Sequence, residues 1–278
     1  MNKVGLSLSG GNSPDRRDVI AAIADAGFDS TFLMFTGDEP IADQCRLCRE
    51  RGLEVETVHL PWGSANELWA CSDAAGAVME DYRRRISAAS DCGVRVAVMH
   101  VTVGNTAPAP TERGVGNFLA VCDYAQSVGV RLAFENLEPL PHLEYLMPFI
   151  PRYHGFCWDV GHNSCYSPQT PLWSLYGDRL LCLHLHDNHG VTRPGEPDYR
   201  DDLHYLPYGG NIDWDWFARR FAALRSDVTL MIEADPTADP ACAGMTVREA
   251  VNEAYIRACR LRDGVSAARA QTESGTLC

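Results

Sequence analysis

Short apolar runs alternate with longer amphipathic ones along this chain, eight times over. The strand-like runs cover 3–9, 30–35, 54–60, 95–102, 131–137, 154–160, 180–186 and 227–234. They are rich in Val, Leu, Phe and Thr, and short enough for strands buried in a parallel sheet. The amphipathic runs predict helices over 14–26, 39–51, 73–91, 113–128, 142–150, 170–178, 213–224 and 246–262. Ser13 suits the N-cap of the first and Pro14 its first helical position. Gly27, Gly52, Gly93 and Gly129 each stand between a helix and the next strand. Eight such units in 278 residues predict an α/β fold, a single-domain (β/α)8 TIM barrel over 1–265, with a flexible C-terminal tail over 266–278. An open doubly wound sheet is the weaker alternative, because SLSGGNSP after the first strand does not fit G-x-G-x-x-G. The longest irregular stretch is 187–212, and long loops in compact domains are often functional.

Composition narrows the classes. No apolar run reaches about 18 residues, so no membrane span is expected. The opening MNKVGLSLSGG lacks a basic stretch followed by a long apolar one, and a cytoplasmic location is the expectation. The formal charge is −13 and Lys3 is the only lysine, so a global basic footprint for nucleic acid is absent. Eleven cysteines are scattered through the chain. Cys92, Cys122, Cys157, Cys182 and Cys259 lie in apolar-periodic segments and read as buried thiols. Cys45 and Cys48 form a C-x-x-C inside a helical run, with no second pair to complete a zinc site.

In a barrel of this type the C-terminal strand ends carry the chemistry. Here those ends hold His59, His100, Glu135, Asp159 followed by His162, His184 and His186, and Glu233. The loop after strand seven adds Asp202 and His204. A single strand-end acid usually caps a helix, and a single histidine is usually satisfied by hydrogen bonds. The whole set is different: so many acids and imidazoles on one rim, with no matching lysines, call for cations. Mixed imidazole and carboxylate ligation suits zinc, manganese, cobalt or iron. His142 and His154 fall at the opposite ends of their elements and read as structural or surface residues.

These motifs resemble the xylose-isomerase-like barrels, which include sugar phosphate isomerases and epimerases and the endonuclease IV type of AP endonuclease. The marks are FEN at 134–136, DVGH at 159–162, HLHD at 184–187, D-x-H-x-x-P at 202–207 and IEAD at 232–235. The resemblance implies one metal held by Glu135, Asp159, His184 and Glu233. Its nuclease branch implies additional metals at His59 and His100 beside Glu135, and at His162, Asp202 and His204. It places one to three divalent ions (Zn, Mn or Co) in the site, and marks Asp187 as the acid that follows the ligand His184.

The activity implied is isomerisation or epimerisation of a sugar or sugar phosphate, by proton transfer through a metal-stabilised enediolate. Glu135 and Glu233 would move the proton and His162 would assist. His186, Trp62 and Tyr208 are the substrate-binding candidates, with Trp69 as a further apolar wall. Tyr208 stands where the family often has glycine. The expected partner is a small carbohydrate; nucleic acid and membrane are not expected, and self-association stays open. Arg113, Arg193 and Arg200 lie in loops near the mouth but do not establish a phosphate site. The alternative activity is a multi-zinc phosphodiesterase or AP endonuclease-like hydrolase. A non-catalytic metal- or sugar-binding barrel is a third reading, in which Glu135→Gln would leave binding intact.

Overall fold

Eight strands follow one another around a barrel in chain order: β1 (Val4–Leu6), β2 (Ser30–Met34), β3 (Glu54–His59), β4 (Val96–His100), β5 (Arg131–Glu135), β6 (Gly155–Asp159), β7 (Leu180–His184) and β8 (Leu230–Ile232). Neighbours pair in parallel from β7 back through β1 to β8. At the β7–β8 seam, Leu185 N–H donates to Met231 O at 2.9 Å and Glu233 N–H donates to Leu185 O at 3.0 Å. The expected TIM barrel is therefore the fold. The computed structural model describes residues 1–8, 15–35, 40–70, 73–138, 140–193 and 198–274.

The helices are α1 (Arg16–Ala26), α2 (Ile41–Glu50), α3 (Ala74–Asp91), α4 (Glu112–Ser127), α5 (Leu140–Leu146), α6 (Val160–Tyr166), α7 (Leu172–Tyr176), α8 (Trp214–Leu224) and α9 (Val247–Glu273). The expected cap residues Ser13 and Pro14 lie outside the described residues; Asp15 caps α1 by accepting from Arg17 N–H. Gly27, with φ 101°, ends α1 in the left-handed region.

Two differences from the sequence pattern matter. Helix α6 begins directly at the end of β6, with Asp159 as its N-cap. Its seven residues are too few to show a helical period. The segment from 266, expected as a flexible tail, continues α9 to Glu273. Ala268 continues the buried spacing of Leu261 and Val265, whereas 270–274 are exposed, so packing holds only the first turn of this extension.

Strand alternation positions the site. Leu132, Phe134, Phe156, Trp158, Leu183 and Leu185 point outward into the main core with Phe118, Phe217 and Phe221. Val96, Val98, Ala133, Cys157 and Cys182 form a small apolar plug inside the barrel. Two residues further along each of four strands stand His100, Glu135, Asp159 and His184. Because side chains alternate with period two, these four inherit the inward direction one layer above the plug.

Candidate metal centre

Pairing register brings the layer together, with His100 opposite Glu135 and Asp159 opposite His184 on adjacent strands. Three groups have ligand atoms within 4.8 Å of one another: Glu135, Asp159, His184 and Glu233; His59, Glu135 and His184; and His162, His186, Asp202 and His204. Glu135 and His184 belong to the first two. His184 Nδ1 lies 2.9 Å from both Glu135 Oε1 and Glu233 Oε2. Glu135 Oε2 faces His59 Nε2 at 3.2 Å and His100 Nε2 at 3.1 Å. In the third group Asp202 Oδ2 lies 3.1 Å from His162 Nε2 and 3.3 Å from His204 Nε2.

Three imidazoles are oriented by the backbone. His59 Nδ1 lies 2.8 Å from Leu60 O, His162 Nδ1 3.0 Å from Asn136 O, and His204 Nδ1 3.0 Å from Glu233 O. A carbonyl oxygen only accepts, so each Nδ1 carries a proton, and in the neutral form of such a ring Nε2 is the lone pair that faces the carboxylates. Two acceptors then face one another unless a proton or a cation lies between them. The carbonyl partner is the usual device that fixes the tautomer of a ligating histidine.

Unpaired buried atoms support the same fit. Asp159 Oδ2, His184 Nε2, His186 Nδ1 and Asp202 Oδ1 are buried without a hydrogen-bond partner. So many unmet polar atoms in one place would be costly unless ligands meet them. The donor set, imidazole plus carboxylate, suits a divalent ion such as zinc, manganese or cobalt.

Without a cation the cluster neutralises itself with protons. Burial opposes charge on His184, yet the fields of Glu233 and Glu135 outweigh it and hold its pKa well above the ordinary value. His162 is raised in the same way, against burial, by Asp159 and Asp202. His204 reaches about 9, because its hydrogen bond and attraction to Asp202 exceed the burial penalty. Burial would raise Glu135, Glu233 and Asp202; the neighbouring imidazoles instead hold all three well below the carboxylate range. His100 is the exception, since burial lowers it more than Glu135 raises it. Ligation would displace these imidazole protons.

The supporting shell is made of short-range contacts. The Asn136 side chain completes the β5–β6 edge, donating to Asp159 O and accepting from Asp159 N–H, both at 2.9 Å. A Cβ at Gly161 would lie 2.0 Å from His186 Cε1, so this position must be glycine for His186 to stand where it does. His186, expected to contact substrate, is instead fully buried and stacked on His204, with ring centres 3.9 Å apart. His204 itself has φ 48°, in the left-handed region where His is enriched among non-glycine residues.

The other sequence candidates divide. Trp62 reaches the mouth, its ring 5.3 Å from His59 and 5.4 Å from His100. Tyr208 does not: its ring lies under the Arg260 guanidinium at 3.8 Å and beside Trp214, so packing against α8 and α9 replaces the expected substrate contact. Trp69 is buried against Phe118 and His142, with Nε1–H donating to Val101 O. Asp187 accepts from Trp214 Nε1–H at 2.8 Å and from the N–H groups of Asn188 and Ile212, a scaffold role. Arg193 and Arg200 both engage Asp198, and His189 is exposed. His142 bonds Pro108 O, and His154 accepts from Leu132 N–H away from the cluster. The described cysteines are free; Cys45 and Cys48 are buried, and burial pushes their thiols up to about 12 and about 11. Cys92 and Cys259, expected to be buried, are only half-buried.

Tyr166 was not visible as a site residue. Its ring lies 5.3 Å from that of His162. A lone tyrosine at the end of an unforeseen helix carried no signal. Among the described residues, no helix is long and apolar enough to cross a membrane.

Comparison with known proteins agrees with this architecture. The uncharacterised protein y4fM of Sinorhizobium fredii (strain NBRC 101917 / NGR234) is 29% identical over 174 residues, 56% of this chain and 52% of that protein. The chain thus matches about half the length of that relative. A solved L-ribulose 3-epimerase superposes with TM-score 0.75 at 16% identity, covering 98% of this chain and 97% of the other. The IOLI protein, solved with a binding zinc atom, superposes with TM-score 0.69 at 14% identity, covering 96% and 99%. At such identities the likeness is one of fold. The xylose isomerase-like TIM barrel family matches residues 20–251, most of the chain, and the protein belongs to that family.

Proposed function

We propose that the protein is a divalent-metal-dependent isomerase or epimerase of a small sugar or sugar derivative. The observation that carries this is the placement of Glu135 and Glu233, two buried carboxylates from different strands, each 2.9 Å from His184 Nδ1. Together with Asp159 and His184 they would hold one ion, zinc, manganese or cobalt. Such an ion supplies Lewis acidity that eases loss of the proton beside a carbonyl. An ionised carboxylate can accept a proton, and each of the two could serve as the base. Standing on different strands, one would take the proton and the other return it. His162, fixed by Asn136 O, would hydrogen-bond a substrate oxygen, and Trp62 would wall the mouth. The epimerase among the solved structures of the same fold supports this reading.

A second reading, phosphoester hydrolysis at a multinuclear centre, is favoured by one specific feature. Glu135 has both oxygens engaged, Oε1 by His184 and Oε2 by His59 and His100, as a carboxylate shared between two ions would. The separate His162, His186, Asp202 and His204 group adds capacity for another. One experiment separates the two. Bound metals are counted, then solvent deuterium incorporation into ketoses and ketose phosphates is assayed beside cleavage of phosphoesters and abasic-site DNA. Exchange into a sugar supports isomerisation; phosphoester cleavage without exchange sinks it.

A further inference from the structure

We propose that a cleft outside the barrel, between α6, α7 and α8, binds a small ring-shaped carboxylate; this does not depend on the reaction proposed above. The cleft has a volume of about 450 Å³, a size suited to a small molecule. Helix α6 separates it from the candidate metal centre. His162 faces Asp202 on one side, and Asn163 and Ser164 line the cleft on the other.

Three indoles, Trp158, Trp173 and Trp216, contribute to the walls. Arg220 of α8 lies over two of them, its guanidinium carbon 4.8 Å from the Trp173 ring centre and 5.7 Å from that of Trp216. Among the described residues Arg220 has no ion pair or hydrogen bond, and these rings are its partners. A guanidinium that rests near rings and pairs with no carboxylate leaves N–H donors for an incoming carboxylate, which can match them in bidentate geometry. The indole parts that Arg220 leaves uncovered add apolar wall against which a ring can pack. In a chain of net charge −13, an unpaired arginine at a cleft marks a local preference for an anion. Asp213 lines the same cleft, and its charge favours a monoanion over a phosphate dianion.

The walls are built before any ligand arrives. Asn163 accepts from Trp158 Nε1–H at 3.2 Å and donates to Ser167 O at 2.7 Å and Thr170 O at 3.3 Å, fixing the loop from α6 to α7. Preformed walls reduce the ordering cost of binding.

The test is calorimetric titration of the metal-loaded full chain with benzoate and, separately, with uncharged benzyl alcohol. Expected are one saturable benzoate site, at least about tenfold weaker binding of benzyl alcohol, and at least about tenfold weaker benzoate binding in Arg220→Gln and in Trp173→Leu, with melting temperature and metal content unchanged. Benzoate bound through the metal centre would survive both substitutions. That result, or equal binding of the alcohol, or no saturation below about 10 mM, overturns the proposal.

Discussion

Gly161 and His186 are packed so closely that a Cβ on the glycine would lie 2.0 Å from the imidazole Cε1. The glycine of the DVGH motif is thus a steric condition for the His162, His186, Asp202 and His204 group. Gly161→Ala should displace His186 and cost about 1–3 kcal/mol, the usual range for overpacking a buried site. Urea unfolding and metal analysis check it. Unchanged stability with unchanged metal content would mean that His186 has room the structure does not show.

Glu135 is shared between two ligand groups, whereas Glu233 belongs to one. Glu135→Gln should therefore lose more bound metal per chain than Glu233→Gln, read by elemental analysis after gel filtration. Both should lower turnover by about 100- to 10,000-fold if each carboxylate transfers a proton. Equal metal content in the two variants would show that Glu135 serves a single ion.

His154 gives a pH dependence free of the metal centre. Its Nδ1 accepts from Leu132 N–H at 2.9 Å, and burial pushes its pKa down to about 4. Between about 4 and about 6.5 the unfolded chain binds a proton that the folded chain refuses. The neutral ring's contribution is complete above that window and is lost as pH falls through it, on the order of 3 kcal/mol. His154→Gln keeps an acceptor but does not titrate, so its stability deficit should narrow from pH 7 to pH 4.5. A deficit that stays constant with pH would refute the assignment.

Asp187→Asn should separate scaffold from site. The buried carboxylate accepts three N–H groups, from Trp214, Asn188 and Ile212. An amide offers one acceptor oxygen and turns donors toward donors, which should cost about 1–3 kcal/mol. Metal content should be unchanged. Loss of metal with no loss of stability would move Asp187 into the centre.

Much of this was legible because barrel strands obey a simple period. Ala133 and Glu135, Cys157 and Asp159, and Cys182 and His184 lie two apart, so an apolar plug residue is followed by a rim residue on the same face. The acids and imidazoles at successive strand ends then had to converge, since a closed barrel leaves them one shared mouth. The short α6 and the extension of α9 past 265 were not legible: the first is shorter than the period that would reveal it, and the second buries only Ala268 in a polar composition.

By itself, then, the sequence determined the eightfold repeat, the inward strand positions and the acids and imidazoles at the rim, because local periodicity and residue chemistry are written along the chain. Only the tertiary structure decided that His186 stacks on His204 instead of remaining open to substrate, that Tyr208 packs beneath Arg260, and that Tyr166 lies beside His162. These three depend on how loops close over one another at distances of a few ångströms, and no spacing in the chain specifies such contacts.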